Sequence, residues 1–593
     1  MTIQKWPNLV EMFYDQAERY NKRALLWHKD DNAWQSLSWT ETAQKVARLA
    51  NAMRKLGVKA GDRVVIVSEN RPEWLIADMA IMTLGAITVP TYITYTSRDY
   101  SHVLENSGAC LALISKKNLA ATFLIAAHLS PELTDAIVIE DPELEQIISV
   151  NLHTWDDVMA GPDISVEDVR ASISAGREDI ACLIYTSGTG GAPKGVMIHH
   201  GAILHNCEGA AYVIEELGLD DNVFLSFLPL SHAYEHSAGQ FLPLTVGAEI
   251  YYAEGLEKLA SNMEETHPTI MVVVPRLFEM LRTKLLRSIA KEGGLKAKLF
   301  DQAIELGVRR QIDPQSLSLR EKAYDALLTV LVRRKVQKRF GGRIKALVSG
   351  GAPLSPDVGH FFASLGLPLL QGYGQTESGP VISVNLPSNP QMHTVGKILA
   401  NTQVRIAEDG EILVQGELVM KGYWRDEKET KKTIIDGWLH TGDIGDIDSD
   451  GNLVITDRKK DIIVNDKGDN VSPQRIEGLL SLEDEIAQAM VYGNQRPWLV
   501  GVVVPDAEWL RGWAKENGKA NDLSALVDDP DLYKVLNEAV QRNNARLSNV
   551  EKVRRFAIAP EAFTVENEQM TPTLKVRRHV LNALYKDVIK ALY

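Results

Sequence analysis

The chain reads Tyr185-Thr186-Ser187-Gly188-Thr189-Gly190-Gly191-Ala192-Pro193-Lys194-Gly195-Val196 directly after an apolar run from Ile180 that is typical of a buried strand. Glycines let the backbone approach an anion, and hydroxyls and a lysine supply further donors for phosphate oxygens. A Walker loop is excluded because Lys194 follows Pro193 and no Ser or Thr comes directly after it, and the third glycine of a dinucleotide fingerprint is missing. Two interpretations remain, a phosphate-binding loop and a plain glycine-rich turn. Composition alone favours the turn.

At these residues the chain resembles the adenylate-forming enzymes, which include acyl-CoA synthetases, luciferases and peptide-synthetase adenylation domains. Their phosphate loop reads Tyr-Thr-Ser-Gly-Thr-Thr-Gly-x-Pro-Lys-Gly, and this chain departs from it once, with Gly190 in place of the second Thr or Ser. The departure removes one hydroxyl. The resemblance implies that the loop binds the phosphates of ATP through Thr186, Ser187, Gly188, Thr189, Gly190 and Lys194, and that Thr189 contacts Mg²⁺.

Composition limits the class of protein. The chain has 593 residues, of which 45% are hydrophobic and 24% charged, as in ordinary soluble proteins with a large core. Its net charge of −14 argues against general nucleic-acid binding, which favours a basic surface. The three cysteines form no CxxC pair, the N-terminus lacks the order of a signal peptide, and no apolar run is long enough to span a membrane. We therefore expect a cytoplasmic protein without transmembrane helices.

Strand-like apolar runs alternate with helical stretches along most of the chain, which predicts βαβ units and mostly parallel sheets. A second cycle of strands is expected to run from Ile180 to Ser349. From Val404 to Thr456 the elements become short and turn-rich, as in a small β subdomain. The predicted fold is α/β: a large N-terminal domain (1–459) of βαβ-rich sheets plus a small β subdomain, followed by a smaller mobile α+β C-terminal domain (460–593).

His232 ends the block Phe227-Leu228-Pro229-Leu230-Ser231-His232, which follows an apolar strand. Taken alone, a histidine at this place is an ordinary loop residue. The block resembles the Leu-Pro-x-x-His of adenylate-forming enzymes, whose histidine lies at the acyl carboxylate, so the resemblance implies that role for His232. Tyr234, Glu235 and His236 are expected to line or gate an acyl tunnel.

Two further blocks follow strand-like runs. Ser349-Gly350-Gly351-Ala352-Pro353 is either a plain strand-to-helix loop or, by resemblance, backbone that contacts adenine through Gly351, Ala352 and Pro353. Gln371-Gly372-Tyr373-Gly374-Gln375-Thr376-Glu377 is the most specific match after the phosphate loop. The resemblance implies that Tyr373, next to Gly374, stacks on adenine, that Thr376 contacts the α-phosphate, and that Glu377 holds Mg²⁺, which prefers few carboxylates plus phosphate oxygens.

The ribose site is expected in the small β subdomain. Asp443, in Thr441-Gly442-Asp443, matches the family's ribose carboxylate, with an Asx turn as the alternative. Arg458 matches the second ribose contact, and Lys460 matches the hinge between the domains. The run from Asp446 to Asp457 begins like an EF-hand loop but lacks the final Glu, so we predict a hairpin turn at 449–452 and no calcium site.

Lys575 closes the block Thr571-Pro572-Thr573-Leu574-Lys575 near the C-terminus. A lysine in a loop is usually solvated, but the family ends in Leu-Thr-x-Thr-x-Lys, whose lysine drives adenylation. The resemblance therefore implies that Lys575 is catalytic, together with His232, Thr376 and Glu377.

The segment from Arg282 to Lys345 is rich in Lys and Arg on an acidic protein. A solvated helical face is the interpretation we favour, and a patch that contacts anionic lipid headgroups is the alternative.

The resemblance covers essentially the whole chain and is strongest to long-chain fatty acyl-CoA synthetases, on Asp457-Arg458-Lys459-Lys460-Asp461 and Asn470-Val471-Ser472-Pro473-Gln474. It implies that a fatty acid, ATP with Mg²⁺, and coenzyme A are converted through acyl-AMP to acyl-CoA, AMP and pyrophosphate. Two rival functions remain: a ligase that stops at acyl-AMP or transfers the acyl group to a carrier protein, and a non-catalytic nucleotide-binding regulator.

Overall fold

The computed structural model describes residues 4–143, 150–161, 163–186, 192–218, 221–313, 315–571 and 575–593. The strands, labelled in chain order, are β1 (Ala24–Asp30), β2 (Ala33–Ser38), β3 (Arg63–Val67), β4 (Ile87–Thr91), β5 (Leu111–Ile114), β6 (Asp135–Val138), β7 (Asn151–Thr154), β8 (Ile180–Thr186), β9 (Lys194–His199), β10 (Val223–Ser226), β11 (Glu249–Tyr252), β12 (Ile270–Val273), β13 (Ala346–Ser349), β14 (Leu369–Gly374), β15 (Val381–Val384), β16 (Lys397–Ile398), β17 (Gln403–Ile406), β18 (Glu411–Gln415), β19 (Ile434–Ile435), β20 (Trp438–Ile447), β21 (Leu453–Arg458), β22 (Ile463–Val464), β23 (Asn470–Val471), β24 (Ile486–Tyr492), β25 (Leu499–Pro505) and β26 (Val553–Ile558).

The α-helices are α1 (Leu9–Tyr20), α2 (Trp39–Lys55), α3 (Pro72–Thr83), α4 (Ser97–Ser107), α5 (Lys117–Ala127), α6 (Trp155–Met159), α7 (Val166–Ala171), α8 (His200–Leu217), α9 (Leu242–Val246), α10 (Leu259–Thr266), α11 (Pro275–Glu292), α12 (Gly294–Ile312), α13 (Leu319–Leu328), α14 (Arg334–Arg339), α15 (Pro356–Ser364), α16 (Glu427–Thr433), α17 (Pro473–Leu480), α18 (Ala507–Glu516), α19 (Leu523–Leu526), α20 (Pro530–Asn544), α21 (Arg578–Leu584) and α22 (Lys586–Ala591). Glu235–Phe241 and Thr329–Arg333 are π-helical, and Thr376–Ser378 is a 3₁₀ turn. Among these helices, none combines the length and the apolar character needed to cross a membrane.

The first sheet of the N-terminal domain has the order β7-β6-β5-β3-β4-β8-β9. Strands β3 to β7 run parallel to their neighbours, as the alternating pattern predicts. Helix α3 is buried in the core against this sheet because it is apolar on all sides. Strand β8 pairs with β4, so the run from Ile180 completes the first sheet. The expectation that it opens the second cycle of strands is wrong.

The second sheet has the order β16-β15-β14-β13-β12-β10-β11-β1-β2. Strands β10, β12, β13 and β14 are mutually parallel, so their carboxyl ends meet at one edge of the sheet. The blocks that contain His232 and Gly350 follow the carboxyl ends of β10 and β13, and the block that contains Tyr373 spans the carboxyl end of β14. Ligands bind at this edge in open α/β sheets, and the topology therefore gathers the predicted site residues in one place.

The small β subdomain is an antiparallel sheet in which β20 lies between β18 and β21. Asp443 on β20 pairs in register with Arg458 on β21, which places the two predicted ribose residues side by side. The connection between these strands is the turn predicted at 449–452. It is stabilised by the side chain of Asp448, which accepts hydrogen bonds from the backbone N–H groups of Asp450 and Asn452.

The C-terminal part is a smaller α+β unit with its own hydrophobic core. Its sheet has the order β24-β25-β26, and α18, α19 and α20 connect β25 to β26. The helices α17 and α20 bury their apolar faces against this sheet, with Ile476, Leu532 and Leu536 fully enclosed. The fold is therefore mixed α/β, with a large N-terminal domain and a smaller C-terminal one.

Candidate active site

A cavity of about 1930 Å³ lies between the two domains and receives nearly all of the described site residues. Its lining includes the carboxyl ends of the parallel strands, the predicted ribose residues and the C-terminal residue Lys575. The cavity has a polar end and an apolar end. The sequence motifs, which are up to 389 positions apart from Thr186 to Lys575, thus converge on one space.

The hairpin of β8 and β9 holds the predicted phosphate loop. Thr186 and Lys194 form the last pair in its register, so both ends of the loop are fixed by strand hydrogen bonds. Both residues line the cavity. The predicted contacts Ser187, Gly188, Thr189 and Gly190 lie outside the described residues.

The ammonium group of Lys194 is already paired. It lies 2.6 Å from Oε1 of Glu429 on α16 and 5.1 Å from the ring centroid of Tyr423. The carboxylate of Glu429 thus neutralises a cation that was predicted to bind phosphate. A phosphate oxygen that reaches Lys194 must therefore compete with Glu429 for the same cation.

The predicted ribose and adenine residues are joined by short hydrogen bonds. The hydroxyl of Tyr373 donates to Oδ2 of Asp443 at 2.6 Å, and Nε of Arg458 donates to Oδ1 of the same carboxylate at 2.9 Å. Asp443 is nearly buried, and the pKa of Tyr373 lies well above its usual value because of burial and this neighbouring carboxylate. The carboxylate is thereby held in one orientation, with lone pairs left for sugar hydroxyls.

Glycines shape the backbone beside these residues. Gly351 has φ of +81°, a conformation that L residues rarely adopt, and it precedes the exposed Ala352 and Pro353 at the cavity wall. Gly374 leaves no room for a side chain because the carbonyl of Pro380 lies against it. The chain can therefore present flat backbone surface to a planar ring at this point.

Thr376 and Glu377 lie in the 3₁₀ turn after β14 and line the polar end of the cavity. Oε1 of Glu377 accepts a hydrogen bond of 2.9 Å from the hydroxyl of Tyr423. Oε2 of Glu377 has no hydrogen-bond partner within the described part of the chain. One fixed carboxylate with a free oxygen is the kind of group that Mg²⁺ takes when phosphate oxygens supply its other ligands.

His232 lies where the polar end meets the apolar end. Its Nδ1 accepts a hydrogen bond of 3.2 Å from the backbone N–H of Tyr234, so Nε2 carries the proton of the neutral ring. Burial and the nearby cation of Lys575 lower the pKa of His232 to about 3. The imidazole is therefore a neutral donor throughout the physiological pH range.

The apolar end of the cavity runs down one face of the second sheet towards the amino ends of its strands. Along β13 it extends from Gly350 to Ala346, a depth of about 13 Å at the usual strand rise. Helix α8 and the strands supply its wall, which includes Ala210, Val213, Ile214, Leu217, Phe224, Leu242, Ile270, Val272, Val348 and Leu370. A narrow apolar space of this kind suits an extended hydrocarbon chain.

Tyr234 lines this space as expected, with its hydroxyl donating to the carbonyl of Val348 at 2.9 Å. The expectation that Glu235 and His236 line it is wrong, because the π-helix turns both side chains into the core. The alternative that they gate it stays a prediction. Glu235 accepts from Ser226 at 2.6 Å, and His236 pairs with the buried Asp78 at 2.8 Å. Burial raises the pKa of Glu235 to about 8.

Lys575 extends from the C-terminal domain into the polar end of the cavity. Its loop is closed at the base by the backbone N–H of Thr571, which donates to the carbonyl of Lys575 at 2.8 Å. Burial within the cavity walls and the cation of Arg458 lower the pKa of Lys575 to about 8, against the opposing attraction of Asp443 and Glu377. Residues 572–574 lie outside the described part of the chain.

Comparison with known proteins identifies this arrangement. A sequence model described as AMP-binding enzyme matches residues 13–424, and one described as AMP-binding enzyme C-terminal domain matches residues 460–593. The chain belongs to the AMP-binding enzyme family. The long-chain-fatty-acid–CoA ligase FadD15 of Mycobacterium tuberculosis is 34% identical over 604 residues, covering 100% of this chain and 98% of that protein. Human long-chain-fatty-acid–CoA ligase 6 is 30% identical, covering 99% of this chain and 88% of its own.

Solved structures share the fold of this AMP-binding enzyme. The adenylation domain of a carboxylic acid reductase from Segniliparus rugosus, in complex with AMP and a co-purified carboxylic acid, aligns with a TM-score of 0.77 at 20% identity and covers 100% of this chain and 95% of its own. The anthranilate CoA ligase AuaEII, in complex with anthranoyl-AMP, aligns with a TM-score of 0.70 at 18% identity, with 98% of each chain covered.

Sequence reasoning missed three features of this AMP-binding enzyme's site. Tyr423 and Glu429, which hold Glu377 and Lys194, carry no family motif that we recognised in the sequence, although the aromatic pair Tyr423-Trp424 after Gly422 was an available signal. The contact of Arg287 with the C-terminal domain left no signal in the sequence. Its guanidinium reaches Asp506 at 2.8 Å and Glu508 at 3.1 Å across the domain boundary.

Proposed function

We propose that this AMP-binding enzyme is a long-chain fatty acid–CoA ligase that releases AMP and pyrophosphate. The supporting observation is one cavity in which Lys575 faces Glu377 and Asp443 at a polar end, while an apolar space begins beyond His232. The first end suits a nucleotide and the second a hydrocarbon chain. A carboxylate held at His232 would lie between them.

In the first half-reaction, a carboxylate oxygen of the fatty acid attacks the α-phosphorus of ATP, and the bond to pyrophosphate breaks. The Nε2–H of His232 orients the carboxylate without protonating it, because the ring is neutral and a weak acid. Lys575, Thr376 and the phosphate loop with Lys194 stabilise the charge on the phosphates, and positioning with charge neutralisation is what such transfers chiefly require.

Nucleotide and metal contacts are proposed as follows. Tyr373, Gly351, Ala352, Pro353 and Gly374 surround adenine, while Asp443 and Arg458 hold the ribose. Glu377 and Thr189 would hold Mg²⁺, and the free Oε2 of Glu377 fits that ion. When bound, Mg²⁺ neutralises phosphate charge. Thr186, Ser187, Gly188 and Gly190 complete the proposed phosphate contacts.

In the second half-reaction, the sulfur of coenzyme A attacks the acyl carbonyl carbon and its proton is released to water. The acyl C–O bond breaks, and AMP leaves with the bridging oxygen. The C-terminal domain, which carries Lys575 into the cavity, would move before coenzyme A enters. We propose domains of 1–459 and 460–593, with Lys460 as the hinge. Lys460 is exposed and lies two residues after the end of β21, outside any strand or helix.

The decisive experiment incubates the purified enzyme with ATP, Mg²⁺, coenzyme A and fatty acids from short to very long chains. Acyl-CoA and AMP formation with long chains supports the proposal. Pyrophosphate exchange into ATP without thioester formation would instead assign the chain to a ligase that stops at acyl-AMP or uses a carrier protein. Absence of exchange with every acid would leave a nucleotide-binding regulator.

For location, we propose the cytoplasm, with peripheral contact of the Arg282–Lys345 segment with anionic lipid. The three cysteines are all free thiols, which suits a reducing compartment. Only those basic side chains of this segment that form no ion pair within the protein can bind lipid headgroups.

A further inference from the structure

The basic segment from 282 to 345 contains seventeen Lys and Arg residues and six Asp and Glu residues, although the whole chain carries a net charge of −14. Several of its cations have internal partners. Arg333 is 1% exposed and lies 2.5 Å from Asp325, which also pairs with Arg310 at 2.6 Å. Arg287 contacts the C-terminal domain. These residues stabilise the fold and are unavailable to a ligand.

A second group lies on one outward face of the continuous helix formed by α13, the π-helical turn and α14. The exposed positions recur at intervals of three or four residues: Leu327, Val330, Leu331, Arg334, Lys335, Lys338 and Arg339. We call this face the outer stripe. The opposite face is buried, through Leu328, Val336 and Phe340, so the outer stripe has a fixed orientation.

The outer stripe has an apolar part followed by a cationic part. Its first part is apolar, with Leu327 at 49%, Val330 at 50% and Leu331 at 39% exposure. Its second part carries four exposed cations that form no ion pair within 4 Å among the described residues. Glu292 on α11 is a nearby carboxylate, and the charges of Lys335 and Arg339 contribute to lowering its pKa. Apolar side chains beside unpaired cations are the composition of helices that lie in the interface of anionic membranes.

We propose that the outer stripe docks the enzyme on anionic lipid bilayers. The cations would bind headgroups while Leu327, Val330 and Leu331 enter the interface. The negative charge of the remaining surface would be repelled by the same membrane and so orient this face towards it. The choice of lipid over an acidic protein rests on the proposed function, because long-chain fatty acids dissolve in membranes.

The position of the outer stripe in the fold supports this choice. Seven positions after Arg339 the chain enters β13, whose first residue, Ala346, lines the apolar end of the cavity. Between them, Arg343 donates a hydrogen bond to the carbonyl of Asp221, close to the end of α8, whose Leu217 also lines that end. The stripe and the apolar space therefore belong to neighbouring parts of the domain.

The test is sedimentation of the full-length enzyme with vesicles, without substrates. We expect salt-sensitive binding to phosphatidylglycerol–phosphatidylcholine vesicles and little binding to phosphatidylcholine alone. Lys335→Gln with Lys338→Gln should weaken binding about 30-fold, since each cation is worth about 1 kcal/mol, or ~5-fold. Val330→Ser with Leu331→Ser should weaken binding at low and high salt alike.

The matched control is Lys586→Gln with Lys590→Gln on α22, which removes the same charge from exposed positions of the C-terminal domain. It should bind vesicles like the wild type. Circular dichroism verifies folding, and ligase activity on a long-chain fatty acid supplied without vesicles tests the proposed function separately. Equal partition into neutral and anionic vesicles, or equal loss in the control, would overturn the proposal. Loss with the cation pair but none with the apolar pair would overturn the entry of Leu327, Val330 and Leu331 into the interface and leave headgroup contact by the cations alone.

Discussion

The hydroxyl of Tyr423 donates a hydrogen bond of 2.9 Å to Glu377, and its ring lies 5.1 Å from the ammonium group of Lys194. One buried side chain thus contacts both the proposed Mg²⁺ ligand and the lysine of the proposed phosphate loop. Because Glu429 holds the same lysine, the two charged groups are oriented before ATP arrives.

Tyr423→Phe should therefore weaken the response to Mg²⁺ more than it weakens folding. Loss of a partner that orients a metal ligand typically costs ~10–100-fold in metal affinity. We expect a rise of that order in the Mg²⁺ concentration for half-maximal activity, and a parallel loss in ATP-dependent binding of Mn²⁺ measured by electron paramagnetic resonance. Tyr212→Phe, at a half-exposed ring on α8, is the control. An unchanged Mg²⁺ concentration for half-maximal activity would show that the hydroxyl of Tyr423 does not orient a metal ligand.

Lys575→Ala should impair acyl-AMP formation but leave thioester formation from supplied acyl-AMP nearly intact. The removal of one preorganised charge from the reacting phosphate costs ~10²–10³-fold in rate. Single-turnover assays of each half-reaction measure the difference, with Lys586→Ala as a control at an exposed lysine of the same domain. Equal losses in both halves would contradict the assignment.

The pH dependence of adenylation should follow the ammonium group of Lys575. Its pKa is lowered to about 8, so the cation is complete below that pH and is lost as the pH rises through it. We expect kcat/KM for ATP to fall by ~10-fold per pH unit above this value, since kcat/KM reports the free enzyme. Lys575→Arg, whose cation does not titrate in this range, should lack the decline. A wild-type profile that stays flat to pH 10 would exclude Lys575 as the titrating group.

Lys460→Pro should spare acyl-AMP formation and block thioester formation, because proline fixes φ and prevents rotation at the hinge. The two half-reactions are assayed separately, with Lys459→Ala to show the effect of losing a neighbouring lysine. Normal acyl-CoA output from the proline variant would mean that the domains turn elsewhere.

Arg287→Ala should favour the state in which the C-terminal domain has turned away. Arg287 bridges to Asp506 and Glu508 in the present arrangement, and a partly exposed ion pair contributes up to ~1 kcal/mol. We expect adenylation to slow by about 2- to 5-fold while thioester formation is unchanged or faster. Lys291→Ala, which removes a more exposed and longer contact to Glu508, should have a smaller effect. A larger effect from Lys291 would argue against the bridge.

The sequence predicted much of the fold and the outline of the site because both depend on local patterns. The strands around Val64, Val272 and Leu347 are short apolar runs after turns, and their order implied parallel sheets. The membership of β8 in the first sheet was not predictable, because an apolar strand carries no mark of its partner. The same holds for Glu235 and His236, which a π-helix directs into the core against Ser226 and Asp78.

Pairings between distant segments account for the remaining differences. Glu429 meets Lys194 across 235 positions and Arg287 meets Asp506 across 219, and neither pair leaves a spacing that periodicity can detect. Arg333 is buried in the core, but it lies in a run of basic residues, and the sequence does not distinguish it from its exposed neighbours.

Lys575 and Arg458 carry like charges into the same end of the cavity, and the cation of Arg458 disfavours the cationic form of Lys575 there. In the proposed complex ATP would be their shared counterion, so the closed arrangement would be most favourable while the triphosphate is present. When pyrophosphate departs, most of that negative charge goes with it and the mutual repulsion returns. We expect the loss of the first product, rather than the arrival of coenzyme A, to start the rotation of the C-terminal domain. The chemistry of the first step would then set the timing of the second.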